Sequence, residues 1–296
     1  MPPVPITALE TLPANVLAEL DQRGIPLAAL AAAVDLRPGE PLLLAGSYAT
    51  GEANPTSDLD LLVFTLDDDY RGIPGSSNHP SIFGDSFDVT LVDLNVNIEY
   101  VPQSRFLDLC KTIAATRPVD GPPQVGNFQA LELRLPQRIM TGIPLVEANV
   151  VQRLRDELDF PAVWASAAAL DFVMAMSLLE DTQVLNPPSQ LLMLRAAGEY
   201  LVRSAINSVG PITYDAKHVF SRAARLCDQP GAPRALTNAE QLVFLDRMPI
   251  ERAVEFLLDD AVDLHQRVAG DERLNLITQM LRPFQASWEW SGRTFA

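Results

Sequence analysis

The stretch that decides the fold spans residues 42–61 and reads LLLAGSYATGEANPTSDLDL. It begins with an apolar run, which predicts a short buried strand, and its last four residues alternate acidic and apolar, which predicts a second strand. Between them, Gly46 allows the backbone to approach a ligand closely, and Ser47 adds a hydroxyl at the start of a predicted short helix. Backbone N–H groups at a helix start favour anions, so this turn is a candidate phosphate-binding element.

Asp58 and Asp60 form the candidate metal site. Residues two apart on a strand point to the same face, so both carboxylates can reach the same ions. Mg²⁺ prefers such oxygens, and a pair of Mg²⁺ ions can activate an attacking hydroxyl and stabilise a leaving oxygen. An isolated Asp-x-Asp is usually a solvated strand edge. Here ten residues separate it from Gly46-Ser47 and apolar runs flank both motifs, which favours a catalytic site.

This arrangement resembles the DNA polymerase β-like nucleotidyltransferase superfamily, in which an apolar strand and Gly-Ser precede an acidic–apolar–acidic–apolar strand. The resemblance covers about residues 41–101 and is closest to bacterial antibiotic (aminoglycoside-type) nucleotidyltransferases. It implies a Mg²⁺-dependent enzyme that moves a nucleoside monophosphate from a nucleoside triphosphate to a hydroxyl of a small-molecule acceptor, with release of pyrophosphate. ATP is the expected donor, although the residues do not choose among the four nucleotides, and an antibiotic is the expected acceptor.

The resemblance also implies a third carboxylate on a later strand. Glu99, within the apolar run 96–101, is the preferred candidate, and Asp88 remains the alternative. The expected role is to bind one of two Mg²⁺ ions and to help deprotonate the acceptor hydroxyl. Together Asp58, Asp60 and Glu99 are the predicted catalytic and metal-binding residues.

Two basic residues outside that region are also candidates. Lys217 resembles a lysine that reaches the nucleotide phosphates in related helical domains, so Gly46, Ser47 and Lys217 are the predicted nucleotide-binding residues. A solvated helix lysine fits Lys217 equally well. Arg138 is expected to be a structural, salt-bridged arginine rather than a residue facing the substrate cleft.

The sequence pattern changes along the chain. Strand patterns at 41–45, 58–66, 87–92 and 96–101, with a long loop at 67–85, give way after about residue 130 to helical periodicity. The fold class predicted is α+β. An N-terminal nucleotidyltransferase domain with a mixed sheet and flanking helices (1–147) precedes an all-helical C-terminal domain (148–296).

Composition limits the partners. The chain carries 22 basic and 38 acidic residues, a net charge of −16, and no Lys/Arg run. It therefore repels a phosphate backbone, which argues against long nucleic acid and favours a small cationic or neutral acceptor. Two cysteines without metal-ligand spacing, no apparent signal peptide and the dominance of Arg over Lys suggest a cytoplasmic bacterial protein with no membrane partner. They indicate no oligomeric state.

Two other functions stay open. One keeps the chemistry but nucleotidylates a partner protein, as in toxin–antitoxin pairs; the fused helical domain argues against it. The other is a non-catalytic nucleotide-binding scaffold. The Asp58/Asp60 pair argues against the scaffold, because nucleotide binding alone does not require two metal ions.

Overall fold

The structure is a computed structural model that describes residues 5–66, 77–81, 83–115, 133–210, 217–243, 248–270 and 275–285. The chain divides into two compact units, residues 1–111 with 135–158, and residues 112–134 with 159–296. Each unit contains its own cluster of buried apolar side chains. The domain boundary predicted between residues 147 and 148 stays a prediction.

The first unit is built on a six-stranded mixed sheet. Its strands, in the order β3-β4-β5-β2-β1-β6, pair antiparallel except for β2 and β5, which are parallel. The strands are β1 Leu42–Ala45, β2 Leu59–Thr65, β3 Ser77–Pro80, β4 Asp85–Leu91, β5 Leu94–Pro102 and β6 Ile143–Val146. The helices are α1 Ile6–Leu9, α2 Ala14–Gln22, α3 Leu27–Ala33, α4 Gly46–Thr50, α5 Gln103–Ala114, α6 Arg134–Thr141 and α7 Ala148–Asp156. The predicted mixed sheet with flanking helices is confirmed.

Strands β1 and β2 lie inside the sheet and are covered on both faces, which explains why they read as continuous apolar runs. On one face Leu59 and Leu61 belong to the core formed with residues of α1 to α3. On the other face the ring of Phe64 meets Phe106 of α5 edge-on, with 5.3 Å between the ring centroids. Asp60 lies between Leu59 and Leu61 and therefore projects to this second face.

In the second unit the described elements are helices, as predicted for the C-terminal part. They are α8 Phe160–Asp181, α9 Pro187–Val209, α10 Val219–Leu226, α11 Arg234–Thr237, α12 Ala239–Val243, α13 Ile250–Gly270 and α14 Asn275–Gln285. The two longest helices start with side-chain caps: Asp159 accepts a hydrogen bond from the Ala162 amide, and Asn186 from the Ser189 amide. A proline in the first turn completes both starts.

Helix α8 is long and apolar enough to cross a membrane. However, 67% of its most apolar window is buried within the protein. Phe172 and four alanines of this helix belong to the core of the second unit, as in the central helix of a soluble protein: Ala165, Ala168, Ala169 and Ala175. Length and composition alone are therefore weak evidence for a membrane span, and the predicted cytoplasmic location stays a prediction.

Candidate active site

Strands β1 and β2 bring the Gly-Ser turn against the aspartate motif. Ala45, the last residue of β1, pairs with Asp60 across the antiparallel ladder, and Gly46 follows with φ +66°. A Cβ added to Gly46 would lie 2.0 Å from Oδ2 of Asp60. Both the left-handed backbone and this contact require glycine. Ser47 is half-buried in the short helix α4 that begins at Gly46.

Asp58 lies just before β2 and is exposed, whereas Asp60 is half-buried. A hydrogen-bonded turn holds the backbone that leads into Asp58. The Asn54 side chain accepts from the Thr56 amide at 2.9 Å, and the buried Ser57 hydroxyl accepts from the Asn54 amide at 2.9 Å. Asp58 therefore projects into solvent from this turn, whereas the Asp60 carboxylate, two residues later, is half-buried.

A buried arginine bridges two of the three predicted catalytic carboxylates. Nη2 of Arg138 lies 2.7 Å from Oδ1 of Asp60, and Nη1 lies 2.5 Å from Oε2 of Glu99. The Ser81 hydroxyl donates to Oε1, the other oxygen of Glu99. Both oxygens of the buried Glu99 therefore have partners, and the contacts to Arg138 are strong charge-assisted bonds.

The alternative third carboxylate, Asp88, lies on the same face of the sheet. The strand registers pair Asp88 with Asn97 and Asn97 with Asp60, so the three residues form a row across β4, β5 and β2. The Asn97 amide donates to Asp88 at 2.8 Å and to Ser86 at 2.9 Å. Its Oδ1 is buried and has no hydrogen-bond partner among the described residues. Because an ionised carboxylate only accepts, Asp88 fixes the amide with Nδ2 toward β4 and Oδ1 away from it.

The fold holds Arg138 from several directions. The amide of Gly142, just after α6, donates to the Arg138 carbonyl at 2.8 Å. Arg155 of α7 donates to the carbonyls of Ile139 and Gly142 at 2.9 and 2.6 Å, which satisfies the end of α6. A Cβ on Gly142 would lie 3.1 Å from the carbonyl oxygen of Leu44 in β1. Arg138 is therefore carried by a helix packed closely on the sheet.

Part of the chain is similar to a known family of domains. Residues 30–114 match the family model for a nucleotidyltransferase domain. That range includes Gly46, Ser47, Asp58, Asp60 and Glu99, whereas Arg138 lies beyond it. The match supports nucleotidyl-transfer activity in general terms. A specific similarity to aminoglycoside-type enzymes stays a prediction.

A solved structure is also similar: the nucleotidyltransferase-like protein from Exiguobacterium sibiricum 255-15. The similarity covers 92% of this chain and 81% of that one, at 15% sequence identity and a TM-score of 0.43. No curated protein matches the chain.

Asp58, Asp60 and Glu99 are the predicted metal ligands. Among the residues that the structure describes, no three His, Cys, Asp or Glu side chains lie close enough together to hold a metal ion. Mg²⁺ is commonly held by one or two carboxylates together with substrate phosphates, a set that Asp58 and Asp60 can provide. Glu99 is held by Arg138 and Ser81 instead. The predicted pair of ions, and Glu99 as a metal ligand, stay predictions.

The predicted phosphate ligand Lys217 belongs to the second unit. It is exposed, in the turn before α10. The residues just before it, 211–216, lie outside the part of the chain that the structure describes. The phosphate-binding role of Lys217 stays a prediction.

Sequence reasoning foresaw a salt-bridged Arg138 but not its partners, and it missed Ser81 and Asn97. An arginine between apolar positions of a short amphipathic helix was the available signal. That pattern predicts that the arginine faces the protein interior, but it does not predict which carboxylates the arginine contacts. Ser81 lies in a segment that was predicted to be a loop, where a serine carries no distinguishing pattern.

Proposed function

We propose that the chain is a Mg²⁺-dependent nucleotidyltransferase that transfers a nucleoside monophosphate from a nucleoside triphosphate to a hydroxyl of a small-molecule acceptor. The observation that carries this proposal is the contact between Gly46 and the Asp60 carboxylate, with the exposed Asp58 beside it. A phosphate chain held at Gly46 would lie directly against the carboxylates. The family match over residues 30–114 supports the same chemistry.

In this proposal Gly46 and Ser47 offer backbone N–H groups and one hydroxyl to the phosphates. Asp58 and Asp60 offer the hard oxygens that Mg²⁺ prefers. Bound Mg²⁺ would neutralise the phosphates and lower the pKa of the attacking hydroxyl. The acceptor oxygen bonds to the α-phosphorus, the bond from the α-phosphorus to the pyrophosphate oxygen breaks, and the hydroxyl proton leaves to a carboxylate or to water.

The acceptor that suits this chain best is small and cationic or neutral. A net charge of −16 disfavours a polyanionic acceptor, whereas it attracts a polycation at long range. An aminoglycoside-type antibiotic is our first candidate acceptor, with ATP as the first candidate donor. The choices of acceptor and donor both rest on the family resemblance and not on the geometry of the site.

Thermal-shift measurements with ATP, GTP, CTP and UTP, each with and without Mg²⁺, test the proposal. A ligand at about 100 times its Kd stabilises the native state by about 2.7 kcal/mol, which is readily detected. We expect a Mg²⁺-dependent shift that Asp58→Asn and Asp60→Asn abolish. Asp156→Asn, which alters an exposed carboxylate of α7 in the same unit, should retain it.

The nucleotide that shifts the protein is then incubated with candidate acceptors, and pyrophosphate release is measured. Release that needs both aspartates supports the enzyme. A Mg²⁺-dependent shift with no turnover across many acceptors would support the scaffold instead, and a labelled protein band in lysate would support transfer to a partner. If none of the four nucleotides shifts the wild type, the proposal is wrong.

A further inference from the structure

We infer that Arg138 supplies the second positive charge of this site, in the position of a second divalent ion, and that Glu99 holds Arg138 rather than a metal. The inference rests on the proposed function. It predicts a nucleotidyltransferase site with a single divalent ion at Asp58 and Asp60 and a fixed guanidinium on the opposite side of Asp60.

The two oxygens of the Asp60 carboxylate have different neighbours. Oδ1 is bound by Nη2 of Arg138 at 2.7 Å, while Oδ2 faces Gly46, where a Cβ would be only 2.0 Å away. The Gly46 side is where the phosphates are proposed to bind. An ion shared by the phosphates, Asp58 and Asp60 would therefore use Oδ2 and leave the contact with Arg138 intact.

The guanidinium of Arg138 lies between Asp60 and Glu99. An ion bridging Asp60 and Glu99 would need the space between Oδ1 and Oε2, which the guanidinium spans with two short contacts. The side chain of Arg138 is 8% exposed and that of Glu99 is 4% exposed, so repulsion between the guanidinium and an added dication would be weakly screened. Charge compensation between Asp60 and Glu99 is already provided by the protein.

Arg138 is held in place by its own ion pairs and by the packing of its helix. The end of helix α6 lies close to β1 at Gly142, and Arg155 of α7 donates hydrogen bonds to the carbonyls of Ile139 and Gly142 there. Removing the guanidinium would leave Glu99 buried with the Ser81 hydroxyl as its remaining partner among the described residues, and an uncompensated buried charge is strongly unfavourable. Arg138 therefore behaves as a fixed part of the site rather than as a counter-ion that Mg²⁺ displaces.

Counting divalent ions tests the inference without relying on turnover. Mn²⁺ is titrated into the full chain with a non-hydrolysable nucleoside triphosphate, and bound Mn²⁺ is counted by electron paramagnetic resonance. We expect a single Mn²⁺ in the wild type, none in Asp60→Asn, and a single Mn²⁺ with unchanged affinity in Glu99→Gln. In Arg138→Ala, the freed pair of Asp60 and Glu99 should take up a second Mn²⁺.

The outcomes separate the two hypotheses. Two Mn²⁺ in the wild type, one of them lost in Glu99→Gln, would overturn the inference while leaving the proposed function in place. A count that stays at one in a folded Arg138→Ala would also overturn it. If Arg138→Ala does not fold, the Mn²⁺ count of Glu99→Gln still decides between the two hypotheses. In that variant the side-chain amide oxygen can accept a hydrogen bond from Arg138, while the negative charge that a metal ion would need is removed. A wild type that binds neither nucleotide nor Mn²⁺ overturns the function and the inference together.

Discussion

Replacing Gly46 by alanine tests the contact on which the site is built. The added Cβ would lie 2.0 Å from Oδ2, 2.8 Å from Cγ and 3.1 Å from Cβ of Asp60. Contacts become ordinary at 3.4 Å, so Oδ2 must retreat by about 1.4 Å (3.4 − 2.0). Because Oδ1 of the same carboxylate is bound to Arg138 at 2.7 Å, that movement disrupts the ion pair.

The cost has two separable parts. An alanine at φ +66° costs about 1–2 kcal/mol because its Cβ crowds the backbone in the left-handed region. Breaking one side of a buried ion pair costs about 3–5 kcal/mol. Since the Asp60 side chain is 20% exposed, we take the lower end of that range, about 3 kcal/mol. Gly46→Ala should therefore lose about 4–5 kcal/mol in all.

Gly24→Ala is the matched control. Gly24 has the same φ of +66°, and a Cβ there would meet nothing within 4 Å. It should lose only the backbone cost, about 1–2 kcal/mol. Urea unfolding of both variants, followed by circular dichroism, measures the difference, which should be about 3 kcal/mol.

The same pair of variants is then compared in the Mg²⁺-nucleotide thermal-shift assay. Gly24→Ala should keep the shift and Gly46→Ala should lose it, because the displaced carboxylate and the new methyl group both obstruct the phosphate position. Equal losses of stability in the two variants, together with an unchanged nucleotide shift in Gly46→Ala, would refute the reasoning about this contact.

Three further predictions concern residues outside the site. Burial raises the pKa of Asp171 to about 7, so the native state keeps this proton to higher pH than the unfolded chain does. The stability that the bound proton contributes is therefore lost as the pH rises through about 7. Urea midpoints should fall between about pH 5.5 and about pH 8, and they should fall less in Asp171→Asn. Burial also raises the pKa of the Cys110 thiol to about 12, so a thiol reagent at neutral pH should label the half-buried Cys227 in the native protein and label Cys110 only after unfolding. Gly198→Ala would place a Cβ 1.9 Å from a backbone oxygen of α12 and should lower the free energy of unfolding by about 1–3 kcal/mol. Gly270→Ala, where an added Cβ meets nothing within 4 Å, should change that free energy little in the same urea assay.

Much of the sheet followed from local pattern. Strands were predicted at 41–45, 58–66, 87–92 and 96–101, and β1, β2, β4 and β5 lie within two residues of those bounds at each end. The two strands that were missed, β3 and β6, are the edges of the sheet. Each has four residues and includes a proline, which is typical of edge strands and gives little periodic signal.

The sequence by itself determined the strand, turn and strand of residues 42–61. Alternation, an apolar run and a glycine that allows close backbone approach are properties of neighbouring residues, so Gly46, Asp58 and Asp60 could be predicted as one candidate site from the sequence. The helical second half was determined in the same way, by apolar residues recurring at helical spacing.

The tertiary structure alone decided what surrounds those residues. Arg138 lies 78 residues from Asp60 and 39 from Glu99, and Ser81 lies 18 from Glu99, so no local pattern links them. They meet because β5 pairs parallel beside β2 and because α6 packs on the same face of the sheet. Once buried together in a low-dielectric interior, opposite charges must pair with one another. That requirement placed a guanidinium between two carboxylates that the sequence had assigned to metal ions.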